Sequence, residues 1–131
     1  MAYINQEGKK KVAIAMNKVA QKYGLKFSLS IRHHSTLVCK IKSGKVDFIG
    51  NFNENQRDDE RKIERGYFEL SEYSLDSKYS GQVLECVKEI ISALKSADWY
   101  DDSDIQTDYF NTAYYIDIKV GEYDAPYILE N

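Results

Sequence analysis

Residues 101–121 read DDSDIQTDYFNTAYYIDIKVG, and the second half of this stretch decides how the chain is built. Tyr114, Ile116, Ile118 and Val120 lie two apart, so an extended backbone puts them on one face while Tyr115, Asp117 and Lys119 point the other way. That alternation predicts a half-buried strand from about Thr112 to Val120. The first half is different in kind. Asp101, Asp102, Asp104 and Asp108 crowd a run without a single cation, and carboxylates so placed belong in water or against a partner.

Working backwards, Val83, Leu84, Val87, Ile90, Ile91 and Leu94 repeat at three- and four-residue spacings, which predicts a helix with one wet side. Ser80 is placed to cap its start and Trp99 to close it. Before it, Tyr67, Phe68, Leu70, Tyr73 and Leu75 alternate imperfectly, predicting an edge strand followed by a turn at Asp76 to Lys78. Residues 51–66, NFNENQRDDERKIERG, are a densely charged surface excursion, either a loop or a short exposed helix.

The N-terminal part is more regular. Asn5 to Tyr23 reads as a helix with Val12, Ala15, Met16, Val19, Ala20 and Tyr23 on its apolar face and Gly24 beyond its end. Leu25, Phe27, Leu29 and Ile31 alternate with polar residues as a strand, and His33, His34 and Ser35 form the turn after it. Leu37, Cys39 and Ile41 continue as a second strand, with Ser43-Gly44 as a hairpin turn into a third at Val46 to Ile49. Pro126, the only proline, is expected to end regular structure in the tail. The expected architecture is therefore α+β, an antiparallel sheet of about five strands with two helices packed on one face, in one domain over residues 1–131.

Composition narrows the function classes. A content of 43% hydrophobic and 30% charged residues is that of an ordinary globular domain. No apolar run nears the roughly 20 residues that cross a bilayer, and no secretory h-region follows the N-terminus, so the expected location is the cytoplasm without membrane contact. Cys39 and Cys86 sit among apolar neighbours and read as small hydrophobes. The net charge of -3 conceals two halves of opposite sign, the first basic and the rest acidic. Either the halves neutralise each other in the fold or they polarise the surface toward a charged partner.

Catalytic signatures are missing. The seven glycines make no phosphate loop, and there is no nucleophile elbow, zinc spacing or deaminase signature. The aspartate run lacks the central glycine and closing glutamate of a calcium loop, and His33 and His34 have no third ligand near in sequence. No metal, cofactor or enzymatic activity is expected. Tyrosine is the anomaly, eleven in all, with Tyr109, Tyr114, Tyr115, Tyr123 and Tyr127 in the last quarter. Such residues serve recognition surfaces, base stacking or simply strand formation.

From Tyr79-Ser80-Gly81 through the helix and acidic stretch to Tyr109-Phe110, Tyr115-Ile116-Asp117-Ile118 and Pro126-Tyr127, the chain resembles one of the large polyvalent protein-associated domains. Residues 22–51, KYGLKFSLSIRHHSTLVCKIKSGKVDFIGN, are similar to the opening strands of that module. The resemblance covers most of the chain outside residues 51–66, with Tyr114 standing where tryptophan is expected. These modules occur in giant fusion proteins of phages and conjugative elements and as small free-standing proteins. The resemblance implies a mobile-element accessory role and assigns no active site.

The functional expectation is a cytoplasmic, non-catalytic protein that inhibits a host defence protein in an anti-CRISPR-like manner. Asp101, Asp102, Asp104, Asp108, Tyr109 and Tyr115 would contact the partner, the carboxylates mimicking nucleic-acid phosphates. An alternative is a small-ligand binder that sequesters a nucleotide signal, with tyrosines stacking the base and Arg32, His33, His34 or lysines taking the phosphates. Direct nucleic-acid binding through the lysines of the first helix is disfavoured by the net negative charge. The oligomeric state stays open.

Overall fold

The computed structural model describes residues 2–97, 99 and 113–130. Among them run α1 (Gln6–Tyr23), β1 (Lys26–Arg32), β2 (Thr36–Gly44), α2 (Phe48–Glu54), a 3-10 turn (Asp59–Arg61), β3 (Phe68–Leu70), α3 (Leu75–Lys78), α4 (Gly81–Leu94), β4 (Tyr115–Val120) and β5 (Ile128–Leu129). The Asn5 side chain accepts the Gly8 N–H at 2.9 Å and starts α1. At the other end the Gly24 N–H bonds to the Ala20 carbonyl. Val12, Met16, Val19, Ala20 and Tyr23 form the buried stripe between, as the spacing predicts.

β1 and β2 form the expected antiparallel hairpin, with Leu29 opposite Cys39 and Ile31 opposite Leu37. His33 and His34 both have positive φ, 54° and 59°, as the centre of a type I′ turn requires. The strand order is β1-β2-β4-β3, and β4 runs parallel to β2 with Leu37 opposite Ile116, Cys39 opposite Ile118 and Ile41 opposite Val120. β5 also runs parallel to β2, pairing Ser43 with Ile128 and Gly44 with Leu129. The sheet is thus mixed, not antiparallel as the sequence suggested. The chain between β2 and β4 includes the whole of α4, long enough for the crossover that a parallel pair needs.

Three further expectations are corrected. Val46 to Ile49 is not a strand: Asp47 accepts the Gly50 N–H at 2.9 Å, which caps α2 and turns the chain helical. Ser43 and Gly44, expected as a hairpin turn, belong to β2 and are held there by β5, so regular pairing resumes beyond Pro126. Only Phe68–Leu70 of the run from Tyr67 to Leu75 is strand, although it does lie at the sheet edge, and Leu75 begins the single turn of α3. The described residues therefore hold four α-helices, of which α1 and α4 are the two long ones. The charged excursion contains the rest of α2 and the 3-10 turn, tied together where Asn53 donates to the Ile63 carbonyl at 2.9 Å and accepts its N–H at 2.7 Å.

Strand register sorts the side chains. Leu37, Cys39, Ile41, Ile118 and Val120 join one buried cluster with Val12 and Met16 of α1 and Cys86, Val87 and Ile90 of α4. The alternate residues, Arg32, Lys40, Tyr115, Asp117 and Lys119 among them, share the face turned away from that core.

Candidate functional site

One end of this outward face gathers residues the sequence assigned to different roles. Arg32 pairs with Thr36, and Thr36 with Tyr115, so the three stand in one row. Tyr115 is 52% exposed, and its N–H bonds to the Ser35 carbonyl at 2.8 Å. Arg32 Nη1 meets Asp117 Oδ2 at 3.1 Å, one step diagonally across the same face. His33 and His34 are exposed at the hairpin tip beside this row, and the His34 carbonyl accepts the Ile4 N–H at 2.8 Å. Tyr3, also exposed, donates its N–H to the Ala113 carbonyl at 2.8 Å, fixing the N-terminal segment at the point where the chain re-enters the sheet. Asp101, Asp102, Asp104, Asp108 and Tyr109 lie outside the described residues.

The support beneath Tyr115 was not legible as such. Tyr114, expected on the buried face of the strand and counted among the recognition tyrosines, is buried at 2% exposure and donates its hydroxyl to the Leu94 carbonyl at 2.5 Å, closing the end of α4. Trp99 Nε1 donates to the Tyr114 carbonyl at 2.6 Å, and the Lys95 ammonium sits 4.0 Å from the centre of the Trp99 ring. A tyrosine at an inward strand position, placed after a helix whose last carbonyls lack partners, was the available signal.

Four ion pairs bear on the two readings of the asymmetric halves. Lys22 pairs with Glu89, Lys26 with Glu130, Arg32 with Asp117 and Lys40 with Glu122, each joining the basic half to the acidic one. Lys40, with Lys119 and Lys42 nearby, holds the Glu122 carboxyl below its usual range. At least four of the ten cations of residues 1–49 are thus neutralised across the fold among the described residues. All 18 Lys and Arg are among them, whereas Asp98, Asp101, Asp102, Asp104 and Asp108 are not. The acidic surplus of the chain therefore belongs to one short run.

Burial pushes the thiols of Cys39 and Cys86 up to about 12, so neither offers a thiolate nucleophile near neutrality. Among the described residues there is no group of three or more His, Cys, Asp or Glu side chains that could hold a metal ion. Nor is any helix among them long and apolar enough to cross a membrane. At the far end of β4, a cleft between Tyr67 and Tyr123 was missed by the sequence reading, which weighed tyrosines by number and not by which of them face one another. Comparison with protein-family models, curated proteins and solved structures gives no match.

Proposed function

We propose that this chain is a non-catalytic accessory protein of a phage or conjugative element, a large polyvalent protein-associated domain that binds a host defence protein and blocks its nucleic-acid channel. The supporting observation is the confinement of charge. The described residues nearly balance in charge, four ion pairs join the basic half to the acidic one, and five further carboxylates are concentrated in Asp98 to Asp108, shortly before the strand that presents Tyr115. A concentrated anionic run on a nearly neutral body competes with phosphates for a basic channel without repelling the channel's other walls. Tyr115, next in the chain after the Tyr114 that Trp99 and Leu94 lock, supplies an exposed aromatic contact a few residues after that run.

The alternative small-ligand site on Arg32, His33 and His34 is less well supported, because Arg32 is engaged by Asp117 and the histidines stand exposed at a hairpin tip. The test is phage plating on a CRISPR-immune strain that expresses the protein. Wild type should restore plaques, and the triple reversal Asp101→Lys, Asp104→Lys, Asp108→Lys should not. No restoration by wild type across the effector types tried, or equal restoration by the folded triple variant, sinks the reading.

A further inference from the structure

The far end of β4 carries a second feature that the acidic run does not explain. A half-open cavity of about 680 Å³ lies between β3, the end of β4 and the charged excursion, lined by Arg61, Arg65, Lys78, Lys119, Tyr67 and Tyr123 among others. Its size falls within the range of small-ligand sites, about 300–1,000 Å³. None of the four cations is in an ion pair among the described residues. Of the carboxylates on the rim, Glu122 is taken by Lys40 at 2.9 Å and Glu69 faces Lys119 across the β3–β4 pair, leaving Asp124 against Arg61, Arg65 and Lys78. The cavity is thus weakly positive in a chain that is negative overall.

Its aromatic wall is built rather than incidental. Arg65 lies over the Tyr67 ring at 4.6 Å and donates Nε–H to the Tyr67 carbonyl at 3.0 Å, which fixes both. Tyr67 and Tyr123 meet edge to face, 6.2 Å apart at 81°, and Tyr123 is 85% exposed. Tyr123 thus offers an exposed ring on a cavity that Arg61, Lys78 and Lys119 also line, the Lys78 ammonium giving one of its protons to the Tyr73 carbonyl at 2.9 Å.

From this arrangement we propose that the cleft is a binding site for a nucleoside phosphate, with the base on Tyr123 and the phosphates on Arg61, Lys78 and Lys119. Aromatic stacking and charge-assisted bonds to phosphate supply the two halves of the recognition. The site goes beyond the proposed action of residues 101–109 and shares no residue with it.

The experiment is calorimetric titration of the full chain with ATP, inorganic tripolyphosphate and adenosine. ATP should bind at least about tenfold more tightly than tripolyphosphate, since only ATP engages the ring. Tyr123→Ala, which removes an exposed side chain, should bring ATP down to the tripolyphosphate level, and Lys119→Gln should weaken both anions by about tenfold. The triple aspartate reversal should leave ATP affinity within about twofold of wild type, so loss of phage protection and loss of nucleotide binding read out separately. Absence of ATP binding, equal binding of ATP and tripolyphosphate, or indifference of ATP to both Tyr123→Ala and Lys119→Gln would overturn the proposal.

Discussion

Gly121 shows how one residue holds the end of β4 in place. Its φ is +72°, and a Cβ there would stand 2.5 Å from the Tyr127 nitrogen and 2.8 Å from the Gly66 oxygen. Those two atoms are themselves hydrogen-bonded at 2.8 Å, so the added carbon would push apart the backbone bond that returns the tail to the sheet. Gly81 has a similar φ, +58°, but a Cβ there meets nothing within 4 Å. The two glycines therefore separate conformational strain from collision. Gly81→Ala should destabilise by about 1–2 kcal/mol, the left-handed penalty alone. Gly121→Ala should exceed about 3 kcal/mol, because the lost backbone bond and the displaced tail add to it. Urea midpoints of the two variants test this, and equal losses would show that the close approach at Gly121 is relieved at no expense.

Between elements, the seam of α1 and α4 is fastened by Glu89, which accepts hydrogen bonds from Lys22 at 2.8 Å and from the Tyr23 hydroxyl. The Lys22 bond first, and the Tyr23 bond after it, hold the Glu89 carboxyl below its usual range. A folded pKa below the unfolded one means that the contribution is whole above the ordinary carboxyl range and disappears as pH falls through the lowered value. The stability advantage of wild type over Glu89→Gln should accordingly be constant above about pH 6 and shrink to nothing by about pH 2. Denaturation curves across that interval check it, and an advantage unchanged in acid would mean that Glu89 acts by shape alone. Elements of this kind were readable from sequence where one helix or strand carried its own period: α1, β1, β4 and the stripe of α4. They were misread where a single polar residue decided the issue. Asp47 converts an apolar run into α2 by capping it, and β5 holds Ser43 and Gly44 in line by pairing from far along the chain. Parallel pairing of β2 with β4 is equally absent from local pattern, since alternation fixes a strand's faces but not its neighbour or its direction. At the proposed interface, the pattern fixed the outward direction of Tyr115, while its support by Tyr114 and Trp99 depends on a helix end that folds against it.

For the whole molecule, the opposite charge of the two halves raises the question of whether electrostatics or burial holds the fold. The four pairs that join the halves are largely solvent-exposed, with the most enclosed partner, Asp117, still 18% exposed. Exposed pairs contribute about 0.2–1 kcal/mol each and are screened when the Debye length falls to about 3 Å near 1 M salt. Against them stands one apolar cluster spanning α1, α4 and three strands, β2, β3 and β4, in which Val12, Met16, Leu37, Ile41, Val87 and Ile90 are fully covered. Burial of such side chains is worth about 1.5–3 kcal/mol apiece and does not weaken with salt. Raising sodium chloride from about 0.05 to about 1 M should therefore shift folding stability by less than about 2 kcal/mol. The proposed partner complex should behave in the opposite way, because a run of carboxylates in a basic channel gains its affinity from unscreened charge. It should lose at least about tenfold in affinity between about 0.05 and about 0.2 M salt. Measured on the same preparation, these two salt responses distinguish a hydrophobic scaffold carrying one electrostatic contact from a molecule whose charges serve only its own folding. A complex that forms but tolerates salt would shift the contact from the carboxylates to Tyr115 and the exposed tyrosines around it.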